Sequence, residues 1–154
     1  MKKRELRLKR HLTNLSGINL EENLNFLEVK NYTEAEVREL SPLALAYIGD
    51  ACFEILVRSE ILDIRKNPNK LHRESIRYVR AKGQRELFEK IEDLLTEDEM
   101  RIFKRGRNAK SHTVPKNADP IDYRIATGVE ALYGYLYLLK RYDRIRDLFK
   151  EMIG

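Results

Sequence analysis

Three acids stand where acids are costly. Asp50 and Glu54 lie inside the apolar run LALAYIGDACFEILV (residues 43–57), and Glu130 is the single charge between Ile125 and Leu139, in IATGVEALYGYLYLL. An ionised carboxylate is expensive to bury unless it is paired or binds a metal. Asp50 and Glu54 are four apart and share a face if the segment is helical. Two readings are open at this level. Arginine or tyrosine groups could satisfy the acids at a seam between two copies of the chain. Alternatively, the two apolar helices pack together and Asp50 and Glu130 converge on a divalent cation. Carboxylate oxygens suit Mg²⁺, which keeps several waters and needs few protein ligands. No His/Cys cluster with zinc spacing competes.

A second group supplies the opposite charge. Between Arg101 and Ala118 there are six Lys/Arg and no acid, with Gly106, Asn108, Ser111 and Thr113 interspersed. Lysine and arginine neutralise phosphates, Asn, Ser and Thr hydrogen-bond phosphate and sugar oxygens, and glycine lets the backbone approach. Arg105, Arg107, Asn108, Lys110, Ser111 and Lys116 are therefore candidate nucleic-acid contacts. Residues 65–90 add nine Lys/Arg against three acids, and Lys82 and Gln84, flanking Gly83, are candidate backbone contacts. His72 and His112 receive no catalytic role. Carboxylates suited to a metal beside a basic loop point to phosphodiester hydrolysis.

The elements that must position these groups read as helices throughout. The 154 residues are 42% apolar and 36% charged, with net charge +5 and no tryptophan. Helix formers dominate and β-branched runs are absent, so the expectation is one all-α domain of seven or eight helices. Thr33-Glu34-Ala35-Glu36 and Thr96-Glu97-Asp98-Glu99 are capping boxes. They predict short helices ending near Leu40 and Lys104. Ser41-Pro42 caps the first apolar helix, expected to be interior all round. RKNPN (65–69) is a turn. Lys70–Arg80 is helical with Leu71, Ile76 and Val79 inward, and Ala81–Leu95 continues as helix. Residues 105–119 form a loop, Asp119-Pro120 caps a helix to about Leu139, and Tyr142–Ile153 is the last helix. Leu20–Lys30 reads as a short helix behind a basic arm, residues 1–12, with six Lys/Arg against one acid. The lone Cys52 reads as a small buried hydrophobe. No stretch has the ~20 apolar residues of a membrane span and no signal-like apolar stretch follows the basic start, so a soluble, cytoplasmic protein with no membrane partner is expected.

The motifs SPLALAYIGDA (41–51), GRNAKS (106–111), PKN (115–117), Tyr123-Arg124 and VEALYGYLYL (129–138), in this order, resemble the ribonuclease III family. They are most similar to its short bacterial branch, the mini-ribonucleases III, a catalytic domain with no double-stranded-RNA-binding domain. The resemblance covers about residues 40–150. Residues 41–154 then correspond to the catalytic domain, and 1–40 to a basic arm with short helices. The resemblance implies an all-helical, homodimeric endoribonuclease for double-stranded RNA that leaves 5′-phosphate and 3′-hydroxyl ends with a short 3′ overhang. It further implies a role in maturing the ends of 23S ribosomal RNA precursors, with ribosomal proteins as candidate partners. By position, Asp50 and Glu130 become the catalytic Mg²⁺ ligands, directly or through water. Two further carboxylates of the full-length branch fall at Ala46 and Thr127, so the site would be completed by water and RNA phosphate. The rival readings are a noncatalytic RNA-binding ribosome-assembly factor and a helical scaffold with no RNA affinity.

Overall fold

The computed structural model describes residues 30–110 and 114–154. The basic arm, the expected helix from Leu20, Ser111 and His112 lie outside the described residues. Among the described residues there are seven α-helices and no strand, the all-α class expected.

Helix starts follow local capping chemistry. Helix α1 (Glu34–Glu39) begins at a capping box in which Thr33 and Glu36 satisfy each other's backbone N–H groups. Helix α2 (Pro42–Ile61) begins at Ser41, whose Oγ accepts from the Ala44 N–H at 3.1 Å, with Pro42 in the first turn. Asn67 caps α3 (Pro68–Val79), and an extended Arg80 separates α3 from α4 (Ala81–Phe88). A 3₁₀ turn at Glu92–Leu94 follows. Thr96 and Glu99 form the second capping box, opening α5 (Glu97–Arg107). Asp119 accepts from the N–H groups of Ile121 and Asp122 to start α6 (Pro120–Leu138), and α7 (Tyr142–Ile153) closes the chain.

Residues Asn31–Gly154 form one compact unit built around α6, which touches α1, α2, α4, α5 and α7. Eleven of its 19 residues are buried. Tyr133 packs edge-on to Phe53 of α2 at 5.4 Å, and Phe53 in turn to Phe149 of α7 at 6.1 Å. Phe88 of α4 stacks on Phe103 of α5 at 4.0 Å. Cys52 is buried as expected, and burial pushes its thiol up to about 11, so it stays protonated.

Four expectations are corrected. Helix α2 is not interior all round: Leu45, Ala46, Gly49, Cys52, Phe53 and Val57 face the core, while Leu43, Tyr47 and Ile55 are exposed. The reason is that α6 covers one side of α2 and leaves the other uncovered. In α3, Ile76 is exposed and Ser75 is the buried residue, its hydroxyl donating to the His72 carbonyl. The helix expected over 81–95 stops at Phe88, where the chain bends to bring Ile91 into the core and turn Leu94 outward. Finally, Arg105-Gly106-Arg107 belong to α5 rather than to a loop. Gly106 is tolerated there because α5 lies against α6: an added Cβ would sit 2.6 Å from the Ala131 Cβ and 2.9 Å from the Thr127 carbonyl oxygen.

Candidate active site

The two acids are brought together by two glycines. Gly49 immediately precedes Asp50, and a Cβ at Gly49 would lie 1.6 Å from the Glu130 carbonyl oxygen. A Cβ at Gly134, one turn after Glu130, would lie 2.0 Å from the Leu45 carbonyl oxygen. Helices α2 and α6 therefore cross backbone to backbone, at a separation only glycine permits. Asp50 is exposed and Glu130 half-buried, at the rim of this crossing.

Among the described residues, neither acid is paired with a cation. The groups acting on the Asp50 charge are burial first and then the neighbouring Glu54 carboxylate, and both raise its pKa. Glu130 is pushed up to about 7, by burial first, with Asp50 adding like-charge repulsion. Gln84 partly offsets this: its Nε2 donates to Glu130 Oε1 at 2.9 Å. Glu54 is otherwise engaged, accepting from the Arg58 guanidinium one turn on. Among the described residues of the chain itself, then, no arginine or tyrosine acts on the charge of Asp50 or Glu130.

The pair fits a hard divalent cation. The donors are carboxylate oxygens, and they repel one another when ionised. Among the described residues no group of three or more His, Cys, Asp or Glu side chains converges. Ala46 and Thr127, buried one turn before Asp50 and Glu130, explain why. Thr127 spends its hydroxyl on the Tyr123 carbonyl at 2.9 Å.

The basic residues divide. The Gly106 contact sets the C-terminal end of α5 against the Thr127–Ala131 turn that carries Glu130. Arg107 and Asn108 sit on that end; Arg107 Nε donates to Asn108 Oδ1 and the guanidinium lies 5.8 Å from the Phe103 ring centre. Lys110 and Lys116 are exposed. Arg105 is held elsewhere, donating to the Arg38 and Leu40 carbonyls at the end of α1, both at 3.1 Å. Lys82 is exposed, 3.9 Å from Glu86. Gln84 does not fit the role of a strand contact: it is 2% exposed and turned inward onto Glu130. Its spacing carried the signal, because Gln84 is three before Leu87 and four before Phe88, on the apolar face of α4. Arg124 escaped the sequence reading as a contact. It lines a groove of about 330 Å³ with Arg107 and Asn108.

The Ribonuclease III domain model matches residues 43–141, from the first turn of α2 to the end of the turn after α6, and so includes the whole crossing. The chain belongs to the ribonuclease III family. Within that family it is 44% identical over 127 residues to Mini-ribonuclease 3 of Clostridium tetani, covering 81% of this chain and 84% of that one. It is 47% identical over 121 residues to Mini-ribonuclease 3 of Enterococcus faecalis (77% and 92%), and 44% identical over 126 residues to that of Staphylococcus aureus (80% and 94%). A crystal structure of a Fusobacterium nucleatum protein superposes with a TM-score of 0.69 at 33% identity, over 76% of this chain and 94% of that one. Ribonuclease III membership supports an endoribonuclease of the double-stranded-RNA type. Among the described residues no helix is long and apolar enough to cross a membrane.

Proposed function

We propose that the protein is a Mg²⁺-dependent endoribonuclease that cleaves double-stranded RNA, in the cytoplasm, to mature the ends of 23S ribosomal RNA precursors. The observation that carries this reading is the placement of Asp50 and Glu130 at a glycine crossing, with the Asp50 charge acting on Glu130 and, among the described residues, no cation paired with either acid. The names of the relatives, Mini-ribonuclease 3, support the branch and its ribonuclease activity.

Asp50 and Glu130 would hold Mg²⁺, directly or through water. When bound, the ion supplies Lewis-acid neutralisation of charge on the scissile phosphate and lowers the pKa of water. The protein's own contribution is position. Arg107 and Asn108 at the end of α5, with Lys110 and Lys116 beyond it, bind the strand beside the acids, joined by Ser111. Arg105 keeps the end of α1 in place and lends its charge. A-form RNA is recognised by shape, phosphates and 2′-hydroxyls. The products carry 5′-phosphates and 3′-hydroxyls with a short 3′ overhang, and ribosomal proteins on the precursor are the further partners of this reading.

The active form is a homodimer. Leu43, Tyr47, Ala51 and Ile55 are all exposed and follow one another at four-residue spacing along α2, with Tyr47 80% exposed. An apolar stripe of this kind asks for a cover. A second copy provides it by two-fold pairing, brings two Asp50 sites into one assembly and doubles the phosphate contacts.

The test is incubation with long duplex RNA, with and without Mg²⁺, followed by analysis of product ends. Wild type is expected to cleave only with the ion. Asp50→Asn is expected to lose about 100-fold or more of the rate while RNA affinity survives. Unchanged cleavage in that variant would end the metal-site reading. Binding without cleavage by wild type would instead favour the ribosome-assembly factor, which the uncharged Ala46 and Thr127 support. Absence of both cleavage and an RNA affinity that falls steeply with added salt would leave only the scaffold.

A further inference from the structure

Gln84 stands out among buried polar groups. It is 2% exposed, and its Nε2 donates to two acceptors, the Val79 carbonyl at 3.0 Å and Glu130 Oε1 at 2.9 Å. Val79 O is a carbonyl at the end of α3 and can only accept, so the amide cannot be turned over: its nitrogen must face Val79 and Glu130. The cost of that orientation is Oε1, which is buried with no partner among the described residues. Orphaned buried acceptors are uncommon and call for an explanation.

The local backbone is arranged to make this contact. Arg80 is extended, so α4 turns back against the end of α3. Gly83 sits so close that a Cβ would lie 2.1 Å from the Arg77 carbonyl oxygen. That approach puts the side chain of the next residue under Val79 and within reach of α6. Gln84 thereby spans from α4 to a carboxylate 46 residues away. The rest of the core is joined mainly through apolar and aromatic packing; here an amide is spent on a side chain with no structural partner of its own.

We propose that Gln84 is a positioning residue of the Asp50–Glu130 site: braced by the Val79 carbonyl, its amide N–H fixes the Glu130 carboxylate in the orientation that binds the divalent cation. The inference rests on the reading of Asp50 and Glu130 as Mg²⁺ ligands and deepens it. It also replaces the expectation that Gln84 touches RNA. Carboxylates that ligate metals are commonly held by such outer hydrogen bonds, and losing one costs about 10–100-fold in metal affinity or activity. Glutamate has more rotatable bonds than aspartate, so Glu130 gains more from a brace than Asp50.

The experiment is a double-mutant cycle on the full chain with two readouts. Gln84→Met keeps the length and removes the donor; Gln84→Leu is the second variant should the first fold poorly. The first readout is Mg²⁺ binding to RNA-free protein by titration calorimetry, and the second is kcat and KM on duplex RNA. Gln84→Met is expected to weaken Mg²⁺ binding and lower kcat, each by about 10-fold or more, with KM for RNA within about twofold. In a Glu130→Gln background the same substitution is expected to cost nothing further, because it acts through Glu130. A purely structural role would lower the unfolding temperature and leave Mg²⁺ affinity of the folded protein unchanged, and would overturn the proposal. So would a raised KM with kcat intact, the signature of an RNA contact, or equal losses in both backgrounds. If wild type itself binds no Mg²⁺, the metal reading falls first and the proposal falls with it.

Discussion

Two glutamates show how much a partner decides. Glu99 is 3% exposed, and burial pushes its pKa up. Arg144 reverses this by gripping both carboxylate oxygens at 2.8 Å, helped by the Thr96 N–H, so Glu99 ends below the ordinary range. Glu130 is half-buried and also raised first by burial, has one neutral amide instead of a guanidinium, and ends near 7. The sign of its effect on stability follows. Its folded pKa lies above the ordinary value of 4.5, so the folded state keeps a proton that the unfolded chain has released. That stabilisation is fully present below about pH 4.5 and is lost as pH rises to about 7. Urea unfolding of metal-free protein at pH 5 and pH 8 is expected to show a loss of about 2–3 kcal/mol. Asp50, also raised, acts in the same direction. Glu130→Gln is expected to flatten most of the profile, and saturating Mg²⁺ to offset the loss at pH 8. A wild-type stability that does not fall across this window would mean that the acid is not held against its charge.

The α2–α6 crossing decides where those carboxylates stand. In an exposed helix, Gly→Ala gains about 1 kcal/mol of helix propensity. At Gly49 the sign must reverse, since the new Cβ would lie 1.6 Å from a backbone oxygen of the facing helix. Backbone cannot rotate away as a side chain can, so the helices must separate, at a net cost of about 3 kcal/mol or more. Gly49→Ala is therefore expected to lower the urea midpoint and to weaken Mg²⁺ binding together. A variant with wild-type stability and Mg²⁺ response would show that the two backbones need not meet at this level. Gly106 plays the same part between α5 and α6, which is why a turn-like residue sits inside a helix there.

At the scale of the molecule, the fold has one hub, α6, and one helix, α2, that divides its duties. The inner face of α2 builds the core through Leu45, Phe53 and Val57, and the outer face carries Leu43, Tyr47 and Ile55. Asp50 lies between Tyr47 and Ala51, so the stripe proposed to pair with a second copy runs past the site itself. Tyr47→Asp is expected to halve the mass seen by analytical ultracentrifugation at micromolar concentration. Circular dichroism should not change, because the side chain supports nothing within its own chain at 80% exposure. Cleavage of duplex RNA is expected to fall with dimer content. An unaltered dimer would place the subunit seam on another face.

Helix starts were legible in the residues alone. Thr33, Ser41-Pro42, Thr96 and Asp119-Pro120 cap four helices where capping rules put them, because a cap is settled within one turn of chain. Asp50 and Glu130 were legible as candidates too, since each is a charge that its own apolar segment cannot satisfy. Tertiary contact decided the rest. Apolar content around α2 says nothing about which side a neighbour will cover. Gln84 looked like a surface amide in a basic segment until α6 supplied a carboxylate from 46 residues away. Helix α4 ended early because Ile91 had to reach the core, and α5 ran on through Gly106 because α6 left room for no side chain there. Capping acts over a few ångströms of contiguous backbone, whereas these choices belong to segments that meet only when the chain has folded.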